Sequence, residues 1–369
     1  MYYCRKCLNP SSRPGSLFIK GICQPCQFHA QQQNPHVLDT EKISKFKKYI
    51  LEKTATHEFT DLYFSLGVSG GKDSLRQALF CREILKIEPT LVSVGYPPSQ
   101  VTGEGISNLR NLYQKNFEIM NAFPAVYTVK ELAKFCFFEY GNLKIASEIA
   151  LFAGAARLAS LTQSDVVLWG ENPALTVGDH GALAENEFDG STISNINTLK
   201  QVDLLPKKII ENHKYFYDLK DALEEIAPKL VFMGSIIPRW SNLYNGLYSL
   251  MNGFTRRGTS TDYLSLSAVD EDFVIINQYI KYLKYGFSRT TDIVNELIRL
   301  GDMGRDRAIK IVNEFDGYVP NHEVKRFSSF ISIEEKVVWD VIQSYVNREL
   351  FTAVGKDIKP KFQVGLVND

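Results

Sequence analysis

At 369 residues with 44% hydrophobic side chains, the chain is long enough for two or three domains and a large core. Its 42 Lys and Arg cancel 42 Asp and Glu, which argues against a protein that wraps nucleic-acid backbone, although a local basic patch is compatible with neutrality. No run reaches the ~18 apolar residues of a membrane span and no signal-peptide core opens the chain, so a cytoplasmic protein is expected.

The first element, residues 1–35, is a cysteine module. Cys4, Cys7, Cys23 and Cys26 stand as C-x₂-C-x₁₅-C-x₂-C, and each pair can point two sulfurs at one tetrahedral ion. About 30 residues bury too little apolar surface to fold alone, so a structural Zn²⁺ in a ribbon-like module is expected. Two disulfides are the alternative, disfavoured by the expected compartment, and an iron–sulfur or redox role is the third reading. A four-cysteine site is coordinatively closed, which assigns it to architecture or partner docking and not to catalysis. The two remaining cysteines, Cys81 and Cys136, read as buried small hydrophobes.

A polar linker, Gln31-Gln32-Gln33-Asn34-Pro35, leads into residues 36–255. Helical spacing over 41–53 comes first. Strand-like runs at 62–68, 90–96, 124–128, 165–170 and 230–237 then alternate with helical stretches at 74–86, 104–116, 129–139 and 144–161. That alternation predicts an α/β domain with a doubly wound parallel sheet and a ligand at the carboxyl ends of its strands. The first strand runs into Ser69-Gly70-Gly71-Lys72-Asp73-Ser74. Glycines without Cβ let backbone N–H groups close round an anion, and the following helix aims its positive end at the same point. An ordinary glycine turn is the bland alternative. The motif is not a Walker A loop, because Leu66 stands where that pattern needs glycine and Asp73 where it needs Ser or Thr. It resembles the PP-loop of ATP pyrophosphatases, of the adenine nucleotide α-hydrolase-like fold. That resemblance implies an ATP site on Val68, Ser69, Gly70, Gly71, Lys72, Asp73 and Ser74, with Asp73 holding Mg²⁺.

The other strand ends extend the expected site. Gly95 ends the second strand, and Gly170 is placed where it can let adenine stack against backbone. Glu171 and Asn172 follow it on the binding edge, and Arg239 and Trp240 follow the fifth strand. The stretch 174–205 reads as a lid, binding loop or partner surface, with His180 not taken as a ligand. The stretch 252–272 carries Arg256-Arg257-Gly258, for which a phosphate contact and a solvated turn are both open. Residues 256–369 read as mainly helical from about 273, with Asp272 as a possible N-cap. Within them the aromatic and basic run 279–292 places Lys284 and Arg289 where they can stabilise a departing pyrophosphate.

Taken together, these motifs make the chain similar to the N-acetyl sugar amidotransferase family of PP-loop enzymes along nearly its whole length. The resemblance rests on Tyr3-Cys4-x-x-Cys7 with Arg13-Pro14-Gly15, Gly21-Ile22-Cys23-x-x-Cys26 and Ser69–Ser74. It continues through Trp169-Gly170-Glu171-Asn172-Pro173, Tyr282–Phe287 with Arg289-x-x-Asp292, and Arg299–Asp316. It implies conversion of an acetamido group on a nucleotide-activated surface sugar into an acetamidino group, in O-antigen, capsule or flagellin glycan synthesis. ATP and Mg²⁺ are implied as well. Asp292, with Glu171, Asn172, Arg239 and Trp240, falls among the expected substrate residues. A UDP-linked 2,3-diacetamido-mannuronic acid is the first candidate sugar, followed by CMP-linked pseudaminic- or legionaminic-type acids. The family also implies separate partners, a glutaminase and an ammonia-conducting barrel like those of imidazole-glycerol-phosphate synthase. Two other readings stand beside this one. A tRNA-thiolating PP-loop protein with a zinc module needs sulfur-carrying cysteines, and a non-catalytic nucleotide-binding scaffold needs a damaged loop.

Overall fold

The computed structural model describes residues 1–31, 38–170, 173, 179, 181, 184, 186–354 and 357–367. The N-terminal module is a two-stranded hairpin, β1 (Phe18–Ile19) and β2 (Ile22–Cys23), followed by α1 (Gln24–Gln31). After it, α2 (Thr40–Thr54) begins at Asp39, whose carboxylate accepts from the Lys42 N–H, an N-cap that satisfies one of the helix's free donors.

The central sheet has five strands: β3 (Phe64–Gly67), β4 (Thr90–Val94), β5 (Ile119–Ala122), β6 (Val166–Trp169) and β7 (Leu230–Phe232). Their order is β5-β4-β3-β6-β7 and every pairing is parallel, so the chain reverses direction across the sheet at β3 and β6. Alternate residues feed two cores. Phe64, Leu66, Leu91, Val166, Leu168 and Val231 face α2, α3 (Lys72–Phe80) and α4 (Gly103–Gln114). Val92, Val94, Val167, Leu230 and Phe232 face α5 (Val126–Tyr140), α6 (Ile145–Leu161) and α7 (Leu219–Ile226). Both faces are covered, which is the doubly wound arrangement that the alternating pattern predicts.

One strand lies elsewhere than expected. Residues 126–128 of the expected strand 124–128 open α5, and the pairing strand is Ile119–Ala122, in register with Leu91–Val94. The β-branched and aromatic Val126-Tyr127-Thr128 suits a strand locally, but partner position decides strand formation more than propensity does. The other strands match the expected ones and are shorter at one or both ends.

The C-terminal region starts from α8 (Asn242–Met251) and continues through α9 (Phe273–Tyr285), α10 (Arg289–Arg299), α11 (Arg305–Phe315), α12 (Asn321–Ile331) and α13 (Glu335–Ser344). It closes with the hairpin β8 (Phe351–Val354) and β9 (Asp357–Pro360), which the helical reading did not anticipate. A third core joins α9, α12 and α13 to Val129, Ala133 and Phe137 of α5. A fourth seats Tyr3 and Leu8 of the N-terminal module on Ile293, Leu297, Ile311 and Val312 of α10 and α11.

Asp272, Arg257 and Lys284 lie otherwise than their sequence context predicts. Asp272 does not cap α9: Glu271 does, accepting from the Phe273 and Val274 N–H groups at 2.7 and 3.0 Å, while Asp272 pairs with Arg257 and Arg326. Arg257 is thereby buried in a structural ion pair and is no phosphate contact. Lys284 lies away from the phosphate loop. Its ammonium donates to the Tyr140 and Gly141 carbonyls at the C-terminal end of α5 and sits 4.5 Å from the Tyr345 ring centre, where a cation satisfies free carbonyls and the helix dipole.

Candidate functional site

The loop between β3 and α3 is built as an anion cradle. Gly70 holds φ +82°, a left-handed angle that glycine tolerates, and a Cβ there would lie 3.0 Å from the Leu109 backbone nitrogen of α4. The hydroxyls shape the loop: Ser69 N–H donates to Ser74 Oγ at 3.0 Å and Gly71 N–H to Ser69 Oγ at 3.3 Å. Gly71 precedes α3 without a side-chain cap, so no side chain competes for the first-turn donors that an anion would use. Gly70→Ala is expected to lower the melting temperature, because it combines roughly 1–2 kcal/mol of left-handed strain with displacement of α4; thermal unfolding of the wild type and the variant checks this.

A polar cavity of about 200 Å³ opens over the loop, lined by Ser69, Gly71, Lys72, Asp73, Arg289 and Asp292 among others. Asn245 donates to Asp73 at 2.6 Å, Lys72 Nζ lies 2.8 Å from the other Asp73 oxygen, and Ser249 pins the Lys72 carbonyl at 2.6 Å. These bonds from α8 fix the loop's acidic and basic pair from above. Arg289 Nε is buried and has no hydrogen-bond partner among the described residues. Asp292 is held between Arg13 of the N-terminal module and Lys281, at 3.0 Å from the latter. Burial opposes its charge, but Arg13, Lys281 and Arg289 outweigh that and push its carboxyl well below the usual range.

The structure thus gathers Lys72, Asp73, Arg289, Asp292 and Trp240 round one cavity. Arg239 is drawn off to Asp302 at 3.1 Å and lies over the Tyr244 ring, 4.0 Å from its centre. The Gly170 carbonyl accepts from Gly234 N–H at 2.9 Å, and the residue faces Gln77, outside both of the cavities described here. Glu171, Asn172 and His180 lie outside the described residues, as does much of 174–185. Sequence reading missed Asn242, Asn245 and Glu296, although Asn242 and Asn245 share one helix face; Glu296 accepts from the Asn242 backbone and side chain at 2.8 and 2.9 Å.

A second cavity, about 580 Å³ and mainly apolar, lies beside the first between the ends of β3 and β4 and the helix α4. Gly95, Tyr96, Leu109 and Phe123 line it. Among the described residues, Ser69 and Asp270 alone line both cavities. Behind Asp270 lies a buried charge cluster in which Lys144 meets Glu271 at 2.7 Å and sits 4.8 Å from the Tyr96 ring centre. Burial pushes the Asp270 and Glu148 carboxyls up from their ordinary values, and the Tyr96 phenol far up.

The four cysteines form a metal-holding cluster. Their sulfurs are buried and all lie within 4.8 Å of one another, with Cys7 and Cys23 at 3.6 Å. A tetrahedral Zn²⁺ with ~2.3 Å bonds needs sulfurs about 3.8 Å apart, so the set fits one ion, and a cubane cluster would spread them wider. Backbone N–H groups of Lys6, Asn9 and Cys23 donate to these sulfurs at 3.2–3.4 Å, the second-sphere support a thiolate centre requires.

A parallel α/β domain with an anion cradle on its central strand, a four-cysteine metal module and a helical C-terminal region: this is the class that fold and site define. Residues 257–361 match the family model described as the LPS biosynthesis protein WbpG-like C-terminal domain. This agrees with the O-antigen amidotransferase family that the motifs resemble. A search of curated proteins finds no match. Among solved structures, the U34-tRNA thiolase NcsA from Methanococcus maripaludis with its [4Fe-4S] cluster aligns at 14% identity over 82% of this chain and 87% of that one. Its TM-score is 0.30, too loose a superposition to carry any property across. Among the described residues no helix is long and apolar enough to cross a membrane.

Proposed function

We propose that the protein is an ATP-dependent amidotransferase acting on an N-acetylated, nucleotide-activated sugar in bacterial surface-glycan synthesis. The observation that carries this reading is the pair of cavities meeting at Ser69. The apolar one suits an adenosine and the polar one suits a pyrophosphate, which leaves the α-phosphate at their junction. An amide oxygen is a poor leaving group and its carbon a poor electrophile. Attack of that oxygen on the α-phosphorus expels pyrophosphate and leaves AMP on the oxygen; ammonia then adds to the carbon and AMP departs. The chain's residues position the reactants and neutralise charge. The loop N–H groups, Lys72 and Arg289 hold the departing pyrophosphate. The hard carboxylate of Asp73 would hold Mg²⁺, which when bound neutralises phosphate charge. The four-cysteine site would hold structural Zn²⁺.

Ammonia at neutral pH is mostly protonated, so it has to be generated nearby. We assign that task to a separate glutaminase, delivering through a barrel-type channel subunit. A complex that fails to form with such a glutaminase, together with full glutamine-dependent activity of this chain alone, would contradict that assignment.

Sulfur transfer is the rival chemistry, and it needs an accessible thiolate. Cys81 and Cys136 are both fully buried, with burial pushing the Cys136 thiol up to about 12 and the Cys81 thiol higher still. The Cys81→Ala/Cys136→Ala double variant should therefore keep its product-forming rate within about threefold, corrected for the stability lost by trimming buried sulfurs. Mass spectrometry of UDP- and CMP-linked diacetamido sugars incubated with ATP, Mg²⁺ and ammonium tests the reading itself. The expected product is lighter by the difference between O and NH; unchanged sugars would refute it.

A further inference from the structure

Asp270 stands at the one place where the two cavities join. Among the described residues it shares that position with Ser69 alone, on the phosphate-loop side. Its segment is rigid for reasons that do not involve its side chain. Thr102 N–H donates to the Asp270 carbonyl at 3.2 Å, Asp272 N–H donates to the Gln100 carbonyl at 3.1 Å, and Val101 bridges Glu271. The neighbouring Glu271 is spent on Lys144 and on capping α9, and Gln100 donates to it at 3.1 Å. Around Asp270 stand the Tyr96 phenol and the charges of Lys144, Glu271 and Lys72. Lys72 is paired with Asp73 and Lys144 with Glu271, so neither neutralises Asp270 by a direct ion pair. The residue at the junction thus has a fixed backbone, is half-buried and, among the described residues, forms no ion pair, a combination that structural ion pairs do not show.

We propose that Asp270 is the general base of the ammonia step, an inference that rests on the amidotransferase reading. After adenylation the imidate carbon carries the O-linked AMP. Ammonia adds to that carbon through its lone pair, forming the C–N bond and leaving the new nitrogen as an ammonium group. Asp270 takes one proton from that nitrogen. The C–O bond to AMP then breaks, the bond pair leaves with AMP as a phosphate dianion, and the product is a protonated amidine. One proton ends on the carboxylate, and no redox partner is needed. The role suits the position, because a base for the attacking nitrogen must face the carbon attached to the α-phosphate oxygen, and that atom lies where adenosine and pyrophosphate sites meet.

Two assays on one protein separate the steps: ATP–pyrophosphate exchange, which reports adenylation, and amidine formation in excess ammonium chloride. The probe is UDP-linked 2,3-diacetamido-mannuronic acid, or the CMP-linked acid if wild type converts that one. Asp270→Asn should lower amidine formation roughly 10²–10⁴-fold, the usual loss for a proton-transfer catalyst, and at least about tenfold more than it lowers exchange. In Asp270→Ala, added sodium formate should restore part of amidine formation without changing exchange. Equal loss in both assays, loss in neither, or a variant that formate does not rescue overturns the proposal. Wild type silent in both assays with both sugars instead contradicts the underlying amidotransferase reading, before any variant is compared.

Discussion

Asp73→Ala should lower sugar-dependent ATP–pyrophosphate exchange by about 10²–10³-fold, the loss expected when one charge-organising group leaves a preorganised site. The side chain joins α3 to α8. It receives Asn245 of α8 at 2.6 Å, balances Lys72 at 2.8 Å, and lies in the first turn of α3 facing the polar cavity. Removing it takes away the proposed Mg²⁺ ligand and frees Lys72 to move. Asp73→Asn separates these effects. The amide oxygen still accepts from Asn245, so the fold and melting temperature should hold, yet the charge is gone and exchange should fall nearly as far. An Asn variant with more than a tenth of wild-type exchange would mean that Asp73 only shapes the loop.

Removal of the metal should act at a distance, because the cysteine module is wedged against the helix that carries the site. Leu8 N–H donates to Asn295 at 2.6 Å, Arg13 pairs with Asp292, and Arg305 reaches the carbonyls of Cys4 and Cys7 at 3.3 and 3.4 Å. Asn295 and Asp292 lie on α10 with Arg289 and Glu296. Modules of this size depend on their metal to fold. In Cys23→Ser, or after chelation, we expect the first 30 or so residues to become protease-sensitive. A shift of about 1 Å in Arg289 is enough to lower product formation roughly 10²-fold. Limited proteolysis beside the amidine assay checks both parts. Full activity with a cleaved N-terminus would reduce the module to a docking tag.

How legible each part was in the sequence follows the range of the forces involved. Ser69–Ser74 was readable because a glycine cradle is local: its residues, their angles and the helix after them are contiguous. The cysteine spacing was readable for the same reason. Lys284 and Arg289 looked equivalent, five positions apart in one aromatic and basic run, but Gly286 at φ +75° ends α9 between them. The chain turns there, so Arg289 starts a new helix over the loop while Lys284 stays behind to cap α5. Asn245, Glu296 and Asp270 carry no local signature, since each reaches the site through packing between segments far apart in the chain. Val126-Tyr127 misled for the complementary reason, a local preference overruled by the register of Ile119–Ala122 on β4.

In the proposed reaction the Ser69–Ser74 loop grips a departing pyrophosphate while AMP is placed on a sugar amide. Isotope exchange between pyrophosphate and ATP, with and without an N-acetylated UDP- or CMP-sugar and with ammonia withheld, reads that event alone. Exchange that appears only when the sugar nucleotide is present is the predicted result. Exchange that is absent with every such sugar, or that proceeds equally well without one, would contradict it.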